Sequence, residues 1–176
     1  MKNNPILLIS GWAHGAESMS PVVEALRDSH PVTSVSLAEL AAQGNGEDVS
    51  GAEAAAAPIS AYAGAVIRRL ESFDEPSCVV GWSTGGMVAI EAAAHRPQKV
   101  AGLVLLSATA RFCAEVPAKD GFSGQYRAGI EPGALRAMIR KLKRSPEEVI
   151  ADFLLQAVFP MTIPADELVS RTQNAL

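Results

Sequence analysis

The sequence predicts a three-layer α/β core, a parallel sheet with helices on both faces, followed by a helical cap. Two observations carry this reading. Short apolar runs alternate with helical segments over residues 6–106, and amphipathic helices alone follow. The runs are apolar at consecutive positions, as strands buried on both faces must be.

Ile6-Leu7-Leu8-Ile9, stopped by Ser10-Gly11, is the first strand. Pro21 to Asp28 reads as a helix with Val22, Val23, Ala25 and Leu26 apolar and Ser20 as its N-cap. Val32 to Leu37 is rich in β-branched residues and reads as the second strand. Ala41 to Pro58, rich in Ala, Gly and acids, is expected to be a loop. Ser60 to Phe73 carries Tyr62, Val66, Ile67 and Leu70 at helical spacing. Ser77 to Val80 is the third strand, Gly81 to Gly86 a tight turn, and Met87 to His95 a helix apolar nearly all round and expected to be buried. Val100 to Leu106 is the fourth strand. Beyond it, Pro132 to Arg144 shows an apolar face of Leu135, Met138, Ile139 and Leu142. Ser145-Pro146-Glu147-Glu148 has the pattern of a capping box opening a further helix. The expected division is a core over 1–111 and a cap over 112–176.

Composition narrows the function. The 176 residues are 48% hydrophobic and 19% charged, enough to bury a core. A net charge of −4 argues against a general nucleic-acid binder. Two cysteines, Cys78 and Cys113, form no disulfide framework, and no N-terminal run is long enough for a signal peptide or membrane span. A cytoplasmic protein is expected. Cys and His positions do not cluster at ligand spacing, so no metal or cofactor is expected.

The chemistry concentrates at Gly81-Trp82-Ser83-Thr84-Gly85. A serine hydroxyl is a weak nucleophile until it is held exposed beside a base. A G-x-S-x-G turn between strand and helix strains the serine backbone and projects its oxygen from the sheet edge. Ser83 is therefore the candidate nucleophile. Ser10-Gly11-Trp12-Ala13-His14-Gly15 leaves the first strand at the same edge, where loops of parallel sheets line sites. The backbone amides of Trp12 and Thr84 are the candidate oxyanion donors.

These segments, with His95-Arg96-Pro97-Gln98-Lys99-Val100-Ala101-Gly102-Leu103-Val104, resemble the α/β-hydrolase superfamily up to about Arg111. The Gly-Trp loop, the Trp-Ser pair and Ser107 to Phe112 resemble the pimeloyl-acyl-carrier methyl ester esterases of biotin synthesis. The resemblance implies a serine carboxylesterase with Ser83 as nucleophile, and an acyl pocket walled by Trp12 and Trp82. Two departures stand out. Ser10 replaces a histidine common before the glycine, and Leu37-Ala38-Glu39-Leu40 replaces the usual Asp-x-x-Gly-x-Gly turn.

Triads of this fold run Ser, acid, His, with acid and base after the cap. The chain has three histidines. His95 ends the helix that starts at the serine, on the order of 18 Å away at ~1.5 Å per residue. His30 precedes the second strand, at the opposite edge, roughly 20 Å off. His14 alone is on the correct edge, and a surface or hydrogen-bonding role is expected for it. Among acids, Asp120 and Asp152 fall in the cap, and Glu115 follows the fourth strand as a weak candidate. The base and acid are therefore expected from a further C-terminal segment or another polypeptide. Two alternatives follow: an incomplete hydrolase-fold domain that binds an acyl group without turnover, and a thioesterase or acyltransferase.

Between Arg127 and Arg144 the cap carries Arg127, Arg136, Arg140, Lys141, Lys143 and Arg144 against Glu131 alone, a local charge of +5. Such a helix can steer an acidic partner. The resemblance implies an acyl carrier protein, docked through Arg136 and Arg140. An exposed sheet edge after the fourth strand is a second expected contact, through which the chain would associate.

Overall fold

The computed structural model describes residues 3–45, 58–114 and 129–175. Its centre is a fully parallel sheet of four strands, β1 (Ile6–Ile9), β2 (Val32–Val35), β3 (Ser77–Trp82) and β4 (Val100–Leu106), in the order β2-β1-β3-β4. Register pairs Ile6 with Val32 on one side and with Cys78 on the other. Alternate residues of the central strands enter two cores. Leu7, Ile9 and Val79 pack with α2 (Leu37–Asn45), α3 (Ile59–Glu71) and α4 (Thr84–His95) through Leu40, Val66 and Val88. Ile6, Leu8 and Val80 pack with α1 (Ser20–Leu26) through Val22, Val23 and Leu26. The three-layer core is thus built by consecutive apolar residues facing opposite ways.

Several local expectations are corrected. The second strand ends at Val35, and the expected loop from Ala41 lies inside α2 through Asn45. The cause is a capping box at Ser36. Its Oγ accepts from the Glu39 backbone N–H at 3.1 Å, while its own N–H donates to Glu39 Oε2 at 2.6 Å. The remainder of that expected loop, 46–57, lies outside the described residues. Ser20 does not cap α1: a short 3₁₀ turn (Ala16–Met19) leads in, Met19 holds the cap position, and no side chain bonds there. Helix α4 is buried on one face, through Val88, Ala89 and Ala92, and exposes Ala94 and His95 at its end.

The cap comprises α5 (Pro132–Leu142), α6 (Pro146–Val158) and α7 (Ala165–Asn174), with α7 not foreseen from sequence. Its small core of Leu142, Val149, Ile150 and Leu154 rests on Trp12 and Ala13 of the loop after β1. Helix α5 is capped by Glu131, whose Oε2 accepts from Ala134 N–H at 2.9 Å. Ser145 precedes α6 but makes no side-chain cap bond, so its capping box does not form. Among the described residues, no helix is long and apolar enough to cross a membrane.

Strand β4 forms one edge of the sheet. Leu103, Val104, Leu105 and Leu106 are 39%, 43%, 42% and 38% exposed, and none of the seven strand residues carries a charge. Natural edges are usually blunted by Lys, Pro or bulges. This composition predicts concentration-dependent association, measurable by sedimentation velocity at micromolar protein. Val104→Lys should shift the population toward monomer; a chain monomeric at every concentration would contradict the prediction.

Candidate active site

The sharp strand-to-helix turn expected at Gly81–Gly86 forms. Ser83 sits between β3 and α4 at φ 53°, ψ −119°, a left-handed conformation that non-glycine residues adopt only where surroundings enforce it. The enforcement comes from glycines. A Cβ on Gly81 would stand 2.4 Å from the Gly86 Cα, and one on Gly85 would stand 2.4 Å from the Ser10 carbonyl oxygen. Close passage of the turn against itself and against the end of β1 leaves Ser83 no other path. Its N–H is held by the Leu106 carbonyl at 2.9 Å, and its own carbonyl accepts from Gly86 N–H at 2.9 Å.

The same crowding joins the turn to the loop after β1. A Cβ on Gly11 would lie 3.3 Å from the Ser83 Cβ. Trp12 follows Gly11 on one segment and Thr84 follows Ser83 on the other. Among the described residues neither Trp12 N–H nor Thr84 N–H has an acceptor. Thr84 opens α4, so its N–H is one of the helix donors lacking an intrahelical partner. Two unsatisfied backbone donors thus lie on the residues that follow Gly11 and Ser83.

An aromatic cluster covers this edge. Trp12 meets Phe153 of α6 edge-on at 4.8 Å between ring centroids. His14 meets Trp82 at 4.4 Å and Phe153 at 6.3 Å. Phe153 was not singled out from sequence, although its place on the apolar face of α6 was available as a signal. The His14 Nδ1 lies 2.8 Å from the Trp12 carbonyl oxygen; that oxygen only accepts, so Nδ1 carries the proton and Nε2 is left unprotonated. Burial pushes the His14 pKa below its usual value; the bond to Trp12 raises it, Arg171 lowers it and Glu17 raises it.

The other titratable candidates are engaged elsewhere. His95 Nε2 lies 3.3 Å from Glu91 Oε1, and His30 bonds the Ser29 hydroxyl beside an open cleft at the amino ends of the strands. Asp152 pairs with Lys141 at 3.1 Å. Among the described residues, no side chain hydrogen-bonds the Ser83 hydroxyl, and no three His, Cys, Asp or Glu side chains gather as a metal requires. Glu115, Asp120 and Arg127 lie outside the described residues. Burial raises the Cys78 thiol pKa, which keeps it a poor nucleophile. Arg136 and Arg140 are exposed on α5, on the face opposite Leu135, Met138 and Leu142.

Comparison with known proteins agrees with this geometry. Residues 6–173 match the alpha/beta hydrolase family, and the chain belongs to it. Among curated relatives, a pimeloyl-[acyl-carrier protein] methyl ester esterase of Xylella fastidiosa is 31% identical over 163 residues, covering 93% of this chain and 56% of that protein. The esterase of the same name from Methylococcus capsulatus is 39% identical over 110 residues, covering 62% of this chain and 39% of that one. The biotin biosynthesis bifunctional protein BioHC of Cellvibrio japonicus is 30% identical, covering 84% of this chain and 26% of its own length. The chain spans about half the length of the Xylella relative. Among solved structures, a hydrolase from Oleispira antarctica superposes with a TM-score of 0.70 at 16% identity, covering 98% of this chain and 60% of that one. The fold is shared with that structure, as membership of the alpha/beta hydrolase family requires.

Two stability predictions follow. Ser83→Gly should be more stable than Ser83→Ala by about 1 kcal/mol or more, because glycine alone adopts the turn without strain; equal melting temperatures would refute the strain. Because the fold binds the His14 proton less well than the unfolded chain, stability should fall as pH drops below about 6.5, the ordinary histidine value. Melting temperatures over pH 5–8 check this, and His14→Asn should remove that portion of the acid sensitivity.

Proposed function

We propose that the chain carries the nucleophile half of a serine carboxylesterase acting on an acyl ester. The supporting observation is Ser83 at positive φ beside the unpaired N–H groups of Trp12 and Thr84. The Ser83 oxygen attacks the ester carbonyl and passes its proton to a base. The carbonyl oxygen takes the negative charge and accepts from Trp12 and Thr84. Collapse breaks the bond to the alkoxide oxygen, which takes that proton from the base and leaves as the alcohol; water then cleaves the acyl-enzyme by the same path. Among the described residues no side chain bonds the Ser83 hydroxyl, so none of them is assigned as that base. Trp12 and Trp82 wall the acyl pocket.

The names of the relatives support a pimeloyl-[acyl-carrier protein] methyl ester as the substrate, and with it a role in biotin synthesis and a cytoplasmic setting. Helix α5 supports the carrier. Arg136, Arg140, Lys143 and Arg144 lie on one exposed face, with no partner among the described residues. Lys141 is tied instead to Glu148 at 2.7 Å and Asp152 at 3.1 Å. Four unpaired cations suit an acidic carrier protein.

A second reading, an acyl-binding domain without turnover, is favoured by one observation: the Ser83 hydroxyl lacks a base among the described residues. A fluorophosphonate probe separates the two. Covalent labelling at Ser83, located by mass spectrometry and abolished in Ser83→Ala, supports the esterase; reversible binding alone supports the second reading. Ester turnover by this chain alone should reach no more than about 10³–10⁴ over water, the residue left when a triad base is removed.

Carrier binding should weaken steeply with salt, since exposed charges are screened over about 8 Å at physiological ionic strength. Arg136→Glu with Arg140→Glu should cost most of the affinity for an acyl carrier protein while leaving the probe reaction at Ser83 unchanged. Salt-independent binding measured by calorimetry would remove the steering account.

A further inference from the structure

We propose that His14 is a positioning residue that locks the loop bearing the Trp12 oxyanion donor, an inference that rests on the esterase reading above. The loop from Ser10 to Gly15 turns sharply. Ala13 adopts φ 59°, a left-handed conformation that an alanine holds only under constraint. Two side chains supply that constraint. The His14 imidazole reaches back to donate from Nδ1 to the Trp12 carbonyl at 2.8 Å. Ser10, fully buried, donates from Oγ to the His14 carbonyl at 2.8 Å. Each bond spans the strained residue, and together they close the loop on itself.

The His14 ring is itself held in place. It packs edge-on against Trp82, the residue before the nucleophile, and faces Phe153 from the cap. Trp12 touches Phe153 in turn. The imidazole thus ties three segments together: the donor loop, the nucleophile turn and α6. Charged groups facing it are Arg171 of α7, paired with Glu167, and Glu17 of the short turn after the loop. Ser10 and His14 work as a pair, one holding the other's backbone while the second holds Trp12. A preorganised donor needs no reorientation as charge develops, and complete loss of one such donor costs on the order of 10²–10³ in rate. Loosening the loop should cost less.

The test uses the full chain and a fluorophosphonate ester, with reversible affinity and the bond-forming rate at Ser83 measured separately across pH. His14→Phe keeps the ring and loses the Nδ1 donor; His14→Asn places an amide N–H near the Nδ1 position. Nuclear magnetic relaxation dispersion at the Trp12 and Ala13 amides reads loop order on the microsecond-to-millisecond timescale. Positioning predicts that His14→Phe lowers the bond-forming rate about tenfold with little change in affinity, and adds dispersion at both amides. It predicts that His14→Asn restores both, with the wild-type pH profile. Wild-type behaviour of His14→Phe in rate and dispersion would overturn the proposal. Equal loss in both variants, with loss of a titration seen in the wild type, would make His14 a base and overturn it too. If the wild-type chain is not labelled at all, the esterase reading fails, and the dispersion arm still decides whether His14 orders the loop.

Discussion

The arrangement depends on one steric constraint: the turn around Ser83 passes so close to the end of β1 that no side chain fits between them. Gly85 abuts the Ile9 and Ser10 carbonyls, and Gly11 abuts the Ser83 Cβ. That contact forces Ser83 into its left-handed backbone and fixes the spacing of the two segments by backbone rather than by flexible side chains. Backbone contacts of this kind hold geometry within the tolerance that oxyanion stabilisation requires. The buried alternation of Leu7, Ile9 and Val79 against Leu8 and Val80 supplies the rigid platform beneath.

The cap extends the same logic outward. Its core rests on Trp12 and Ala13, so the helices that roof the edge stand on the loop that carries a donor. Phe153 joins both Trp12 and His14. The cap and the loop after β1 are therefore packed together through Phe153, Trp12 and His14. The outer face of α5 stays free for a partner because its apolar face is spent on the cap core. Only Lys141 is drawn into local pairing, by acids one helix away.

Much of this was legible in the sequence because the signals were local. The strands announced themselves as uninterrupted apolar runs, and the Gly-Trp-Ser-Thr-Gly pentapeptide lay between a strand and a small-residue helix. Helix α2 was missed because Ala- and Gly-rich composition outweighed a capping box, Ser36 to Glu39, that stood in plain view. The opposite error occurred at Ser145, where the pattern is present but the residue, at φ −144° and ψ 67°, makes no side-chain cap bond. Phe153 lies on the apolar face of α6, a signal the sequence holds, but its contacts with Trp12 and His14 depend on how the cap docks. The His14 bond depends on a left-handed Ala13 and leaves no periodic trace.

The central claim is that Trp12 and Thr84 present their N–H groups to an oxygen on the carbon or phosphorus attached to Ser83. A crystal structure of the chain phosphonylated at Ser83 tests it most directly. The account predicts the phosphonyl oxygen at about 2.7–3.1 Å from both amide nitrogens, with the loop from Ser10 to Gly15 unmoved. A phosphonyl oxygen turned to solvent, or bonded to side chains instead of these two amides, would contradict it.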